Sequence, residues 1–154
     1  MSKIQIIVGS VNGRAWQSAN AAAAILNKLG HQVEVNPEVE LADLLRDPEE
    51  LLLVCCSTTG EGELPRNLYP VYLALDDQRV NLQGRHYGVI ALGDSGYTYF
   101  AQAGFLMEKV LYQSGGKRIG KVLTLDAKKE TNQPLAAALW AKDWITGFEE
   151  IAQA

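Results

Sequence analysis

The sequence predicts an α/β fold in three layers, with helices covering both faces of a five-stranded parallel sheet. Five apolar, strand-length runs alternate with helix-periodic segments, which is the pattern of repeated βαβ units. Runs such as Leu51–Cys56 and Gly88–Leu92 are apolar without alternation, as expected of strands buried on both faces. Polar, glycine-bearing loops follow three of the runs. In an open parallel sheet, loops at the carboxyl ends of neighbouring strands converge on one crevice.

Taken in order, Ile4–Val8 is the first strand and Gly9–Ala15 the loop after it. Trp16, Ala19, Ala23 and Leu26 keep the three- and four-residue spacing of a helix stripe, and Gly30 suits its stop. Gln32–Asn36 is the second strand and Leu41–Leu45 a short helix. Leu51–Cys56 is the third strand, followed by Ser57-Thr58-Thr59-Gly60-Glu61-Gly62. Leu64–Asp76 reads as an irregular helix, since Pro65 suits a first turn and Pro70 does not suit an interior. Tyr87–Leu92 is the fourth strand, with Gly93-Asp94-Ser95-Gly96-Tyr97 after it. Phe100, Ala103, Met107, Val110 and Ser114 form the next helix stripe, closed by Gly115-Gly116. Arg118–Leu125 reads as an unbroken fifth strand. Thr131 or Asn132 caps the last helix, whose stripe is Ala137, Trp140, Trp144, Phe148 and Ile151. Crossovers in such a sheet are right-handed.

Length and composition narrow the function. The 154 residues fit one domain, spanning 1–154, with room for a core. Hydrophobic content of 47% and charged content of 21% are those of a soluble globular protein. A net charge of -4 argues against nucleic acid or an anionic membrane as the main partner. Met1-Ser2-Lys3 leads straight into a strand without a signal-peptide layout, so the cytoplasm is the expected location. Cys55 and Cys56 are adjacent in a strand and point to opposite faces, so they read as buried thiols in a reducing compartment. His31 and His86 each precede a strand without Cys, Asp or Glu at ligand spacing, and read as solvated loop histidines, not metal ligands. Trp140 and Trp144, at helical spacing, read as core. No nucleophile–base pair, metal cluster or paired-carboxylate pattern is visible, so no catalytic residue and no metal site is assigned, and a cofactor would carry the chemistry.

The first loop can hold an anion. Backbone N–H groups at a helix N-terminus, with a hydroxyl and small residues, form a phosphate cradle. Ser10 and Asn12 offer side-chain hydrogen bonds and Gly13 permits close approach. Gly9 and Gly13 are four apart with no following glycine, which is not the dinucleotide fingerprint, and no Gly-Lys-Ser/Thr follows, so it is not a P-loop. By these residues alone, an ordinary βα turn stays open as a reading.

The three loops together resemble a family. Gly9-Ser10-Val11-Asn12-Gly13-Arg14-Ala15 is similar to the phosphate loop of flavodoxins, and Ser57–Gly62 to their second flavin loop. Leu92-Gly93-Asp94-Ser95-Gly96-Tyr97-Thr98-Tyr99-Phe100 resembles their third, Gly-Asp-Ser-x-Tyr-x-x-Phe, and is the most specific of the three. Order and spacing agree over almost the whole chain, most closely with short-chain bacterial flavodoxins of the YqcA and MioC kind. The resemblance implies a flavodoxin-like sheet of order 2-1-3-4-5, with FMN where the order reverses; flavodoxin is a standard example of that topology. It implies that Ser10, Val11, Asn12, Gly13, Arg14 and Ala15 hold the FMN phosphate. Thr58, Thr59 and Gly60 would flank one edge and one face of the ring. Asp94 and Tyr97 would bound its pyrimidine end and other face, with Leu92, Gly93 and Phe100 completing that loop. Trp16 would either pack on its helix or touch the flavin periphery.

Two positions depart from the family pattern. Arg14 replaces a small hydroxyl residue, which adds a cation beside the phosphate. Thr59 stands where many relatives carry an aromatic that covers the inner ring face, so Thr59, Leu64 or another apolar side chain covers that face, or it is open.

The function implied is a monomeric, low-potential one-electron carrier. Its donor would be an NADPH-dependent flavodoxin or ferredoxin reductase and its acceptor an unidentified redox enzyme. Glu61, Glu63 and Asp94 would form part of an acidic docking rim. Two alternatives stand beside this reading: an NAD(P)H-dependent FMN or quinone reductase on the same fold, and a flavin-free regulatory module.

Overall fold

The computed structural model describes residues 1–10, 13–58, 62–77 and 80–153. Its elements are β1 (Lys3–Gly9), α1 (Arg14–Lys28), β2 (Gln32–Asn36), α2 (Leu41–Leu45), β3 (Leu51–Ser57), a 3-10 turn (Arg66–Leu68), α3 (Tyr69–Asp76), β4 (His86–Gly93), α4 (Gln102–Gln113), β5 (Lys117–Arg118), β6 (Leu123–Asp126) and α5 (Gln133–Gln153). The sheet order is β2-β1-β3-β4-β5, and β6 also pairs with β4. All pairings are parallel. This is the flavodoxin-like sandwich that the sequence predicts.

Period-two alternation splits the core into two layers. Leu52, Val54 and Cys56 of β3 and Val89 and Ala91 of β4 pack with α2, α3 and α4. Leu51, Leu53 and Cys55 of β3 and Ile90 and Leu92 of β4 pack with α1 and α5. Cys55 and Cys56 therefore lie on opposite faces, both free and fully buried. Burial pushes the Cys55 thiol up to about 12, and that of Cys56 also upward.

The predicted fifth strand is broken. β5 pairs with His86 and Tyr87, whereas β6 pairs with Ile90–Gly93. Gly120 lies between them at φ 70, a conformation that a pleated strand cannot include, and Ile119 turns inward into the core. Both prolines of the 64–76 segment stand at element starts: Pro65 precedes the 3-10 turn and Pro70 sits in the first turn of α3. Asn132 is the cap of α5, its Oδ1 accepting the Leu135 N–H at 3.1 Å.

Four further expectations need correction. Trp16 is 41% exposed and does not join the buried stripe of α1, which is Ala15, Ala19, Ala22, Ala23 and Leu26 with Ser18. Ile151 is also exposed, and α5 buries Ala137, Ala141, Trp144 and Ile145. His31 is buried, with Nδ1 accepting the Ser2 N–H at 3.0 Å. His86 begins β4 with its ring 5.4 Å from that of Phe148, and burial lowers its pKa.

A polar cluster at the β2 side was not visible in the pattern. Gln5 is fully buried in β1, and a buried amide is costly unless bonded. Its Nε2 donates to Asp43 O at 3.0 Å and Glu50 Oε1 at 2.9 Å, and its Oε1 accepts from Asn36 at 2.9 Å. Glu50 in turn receives a two-pronged bond from Arg46. This one network joins β1, β2, α2 and the residue that leads into β3.

α4 lies close against β4 at Gly104. A Cβ there would collide with the Ala91 side chain and come within 2.9 Å of the Ala91 Cα. Gly104→Ala should therefore lower stability. Overpacking costs about 1–3 kcal/mol, against a helix-propensity gain of at most ~1 kcal/mol. The check is a lower urea midpoint with an unchanged m-value.

Candidate cofactor site

The strand register aligns the loop starts in one row. Gly9 lies opposite Cys56, Ser57 opposite Leu92, and Gly93 opposite Asp126. The three loops thus leave the sheet side by side at its carboxyl edge.

In the first loop, Gly9 serves packing. A Cβ there would run into the Leu68 side chain and come within 3.3 Å of Pro65. Ser10 Oγ accepts the Gly13 N–H at 2.8 Å. Gly13, at φ 86, precedes α1, and a Cβ on it would meet nothing within 4 Å. Gly13 at the N-cap has no side chain to offer α1, and the first turn of the helix holds no acidic residue. The first turn of a helix carries N–H groups without intrahelical acceptors, and these and the dipole suit an anion. Arg14 is exposed at the first helical position, whereas Ala15 is fully buried, and its carbonyl accepts the Cys55 thiol at 3.3 Å. The Ala15 side chain therefore faces the core and does not reach a ligand. Val11 and Asn12 lie outside the described residues.

The second loop is tied to the third. Thr58 Oγ1 accepts the Ala103 N–H at 3.2 Å, which caps the start of α4. Gly62 is at φ 80, and a Cβ there would come within 2.8 Å of Tyr99 Cγ. Thr59, Gly60 and Glu61 lie outside the described residues. Ser57 is buried, and among the described residues its Oγ has no hydrogen-bond partner. Leu64, one candidate to cover the flavin, is buried against the α3 and α4 layer. Trp16 lines a concavity of about 830 Å³ beside the first loop, with Ser10, Gly13, Pro37, Leu64 and Pro65.

The third loop is a turn built on Asp94. Its Oδ1 accepts the Gly96 N–H at 2.7 Å and its carbonyl the Tyr97 N–H at 3.0 Å. Tyr97 is 58% exposed, with its ring available for stacking. Gly93 is required where it stands, since a Cβ would lie 2.6 Å from the Ala101 backbone nitrogen. Leu92 is buried in the α1 and α5 layer, and Phe100 packs against the other core. Both support the loop from below. Sequence reasoning missed Asp126, whose Oδ1 accepts the N–H groups of Ser95 and Lys128 at 3.0 and 2.9 Å. The Ser95 side chain, with the Ser95 and Lys128 backbone N–H groups, holds its carboxyl below the usual range. Its signal was an acidic residue ending the last strand, beside the third loop. Among the described residues, no three His, Cys, Asp or Glu are grouped to hold a metal ion, and no helix is long and apolar enough to cross a membrane.

The family model for flavodoxin matches residues 6–140. The chain belongs to the flavodoxin family. It is 39% identical to Flavodoxin YqcA of Pectobacterium carotovorum subsp. carotovorum, over 94% of this chain and 95% of that protein. It is 32% identical to Protein MioC of Escherichia coli, over 94% of this chain and 97% of that one. A cysteine-to-serine mutant of flavodoxin from Pseudomonas aeruginosa superposes with a TM-score of 0.88 at 34% identity, covering 96% of this chain and 99% of that chain. Flavodoxins are electron-transfer proteins, and FMN is their cofactor.

The described residues fit FMN. A helix N-terminus that starts at Gly13 with no carboxylate in its first turn suits the phosphate. Open space over Gly13 permits close approach, and the buried, unpartnered Ser57 hydroxyl ends the central strand.

Thr58 links two loops of this flavodoxin through a single hydroxyl. Thr58→Val keeps the shape and removes the acceptor for Ala103, so it should cost about 0.5–2 kcal/mol of stability in the FMN-free protein, as loss of a helix cap does. Thr58→Ser should retain most of it. Chemical unfolding of both variants is the check.

Proposed function

We propose that this flavodoxin passes electrons one at a time from an NADPH-dependent flavodoxin or ferredoxin reductase to a second redox enzyme. It would work as a single-domain monomer in the cytoplasm. The observation that supports it best is the start of α1 behind Gly13, with no acidic residue in its first turn, standing on the same sheet edge as the exposed Tyr97. FMN, when bound, supplies reversible one-electron chemistry.

The chain's own residues bind and shield it. Ser10, Asn12, Gly13 and Arg14, with Val11 and the Ala15 N–H, surround the phosphate. Thr58, Thr59 and Gly60 flank one edge of the ring. Tyr97 covers one face and excludes water from it, on a turn fixed by the Asp94 carboxylate. Leu92, Gly93 and Phe100 set the height of that turn by their packing.

Flavin titration by fluorescence quenching tests the site. FMN should bind at least about tenfold tighter than riboflavin, a gap of ~1.4 kcal/mol, because only FMN carries the dianion for the loop. Gly13→Val, at a residue with φ 86, should weaken FMN far more than riboflavin. Equal affinities for the two flavins would remove the phosphate loop from the reading.

Docking to the donor should depend on charge, given a net charge of -4 and Asp94 at the site edge. Electron transfer from such a reductase should slow as ionic strength rises, since screening weakens steered association. A rate flat with salt would argue against electrostatic docking. Rapid NADPH oxidation by the isolated protein would favour a reductase in its place.

A further inference from the structure

We infer that the turn after β6 is a fourth part of the flavin site, with Asp126 as the positioning residue for the loop that carries Tyr97. The inference rests on the FMN reading above. Three contacts carry it, all reaching the third loop from a segment that none of the three motifs includes.

Asp126 lies opposite Gly93 in the β4–β6 register, at the point where the third loop begins. From there its Oδ1 accepts the Ser95 N–H at 3.0 Å. The next residue, Ala127, donates its N–H to Gly93 O at 2.9 Å. Lys128 closes the turn with its own N–H on the same Asp126 oxygen at 2.9 Å. Its side chain then lies over Gly96: a Cβ on Gly96 would come within 2.8 Å of the Lys128 Cε and 3.4 Å of its Nζ. The turn over residues 94–97 is thus held at its first, second and third residues, by Asp94 itself, by Asp126 and by Lys128.

The held turn is the one that sets Tyr97. Tyr97 donates its N–H to Asp94 O, so its backbone follows the turn, yet its ring is 58% exposed and has little packing to fix it. A ring held by its backbone alone is placed only as well as the turn is. Fixing the turn in the free protein removes an ordering cost from flavin binding. A charge-assisted bond from a backbone N–H to a carboxylate is the strong kind for this purpose. The Ser95 side chain, together with the Ser95 and Lys128 N–H groups, holds the Asp126 carboxyl below its usual range.

The test separates this role from the phosphate loop and from general stability. Asp126→Ala should weaken FMN and riboflavin alike, by about tenfold, the loss expected for one hydrogen bond to a charged group. Asp126→Asn retains an oxygen acceptor and should recover most of the affinity. Ser95→Pro approaches the same bond from the other side. Ser95 is the second residue of the turn, where proline is favoured, so the substitution keeps the turn and deletes both the N–H and the side-chain hydroxyl that Ser95 offers Asp126. It should give a similar loss, and combining it with Asp126→Ala should cost little more than either alone. Titration of the FMN-free protein with each flavin gives the affinities, and thermal unfolding of the same samples reports stability. Ser95→Pro decides the matter if Asp126→Ala fails to fold. Wild-type affinity for both flavins in the folded variants, or losses that simply add in the double variant, would overturn the inference and leave the FMN reading standing. A wild-type protein that binds neither flavin would overturn both.

Discussion

Three buried strands lie side by side in parallel, with Gly9 opposite Cys56 and Ser57 opposite Leu92, and every loop at the cofactor edge takes its position from that register. β3 is the middle strand and all seven of its residues are buried. A strand covered on both faces has no polar face to expose, so its chemistry can appear only where it ends. A slip of one residue would exchange the two core layers, sending Cys55 and Leu53 to the wrong side. Packing against two helical layers therefore fixes the height of each loop before any loop residue contributes.

The two helices beside the site are finished in different ways. α4 receives a hydroxyl acceptor from Thr58 and begins at a backbone pressed against Gly93. α1 starts behind Gly13, which has no side chain to offer it, and the Ser10 hydroxyl is used on Gly13, one residue short of the helix. An end that is satisfied within the protein braces the loops, and an end left unsatisfied is a place for an anion. Far from this edge, the Gln5, Glu50 and Arg46 network closes the β2 side with bonds in place of apolar contact. Its members are paired, as low-dielectric surroundings require.

Much of this was legible in the chain. Unalternating runs announced buried parallel strands, and each of the three loop motifs sits at a strand end, as read. Other features were legible only in part. Trp16 has the spacing of the α1 stripe, but as the third helical residue it stands at the rim, where no layer reaches to cover it. Arg118–Leu125 has strand-like composition throughout, yet Gly120 turns the chain within it. His31 sits in a loop by sequence and is nonetheless buried, because the chain start folds over it. Gln5 looked like an ordinary strand residue, and its partners Asp43 and Glu50 lie 38 and 45 residues away.

The sequence by itself determined four of the strands, the principal helices, and which loops carry a glycine-bearing helix start or a stackable tyrosine. Those properties are local: periodicity, glycine placement and side-chain type act over a few residues. Only the tertiary structure decided how the loops hold one another. Thr58 meets Ala103 across 45 residues, and Ser95 meets Asp126 across 31. Neither pair has a periodic signature, since each exists only because parallel pairing brings the ends of β3, β4 and β6 into one row. The motifs supply the groups that can face a flavin, and the register of the sheet decides which other residues hold those groups in place.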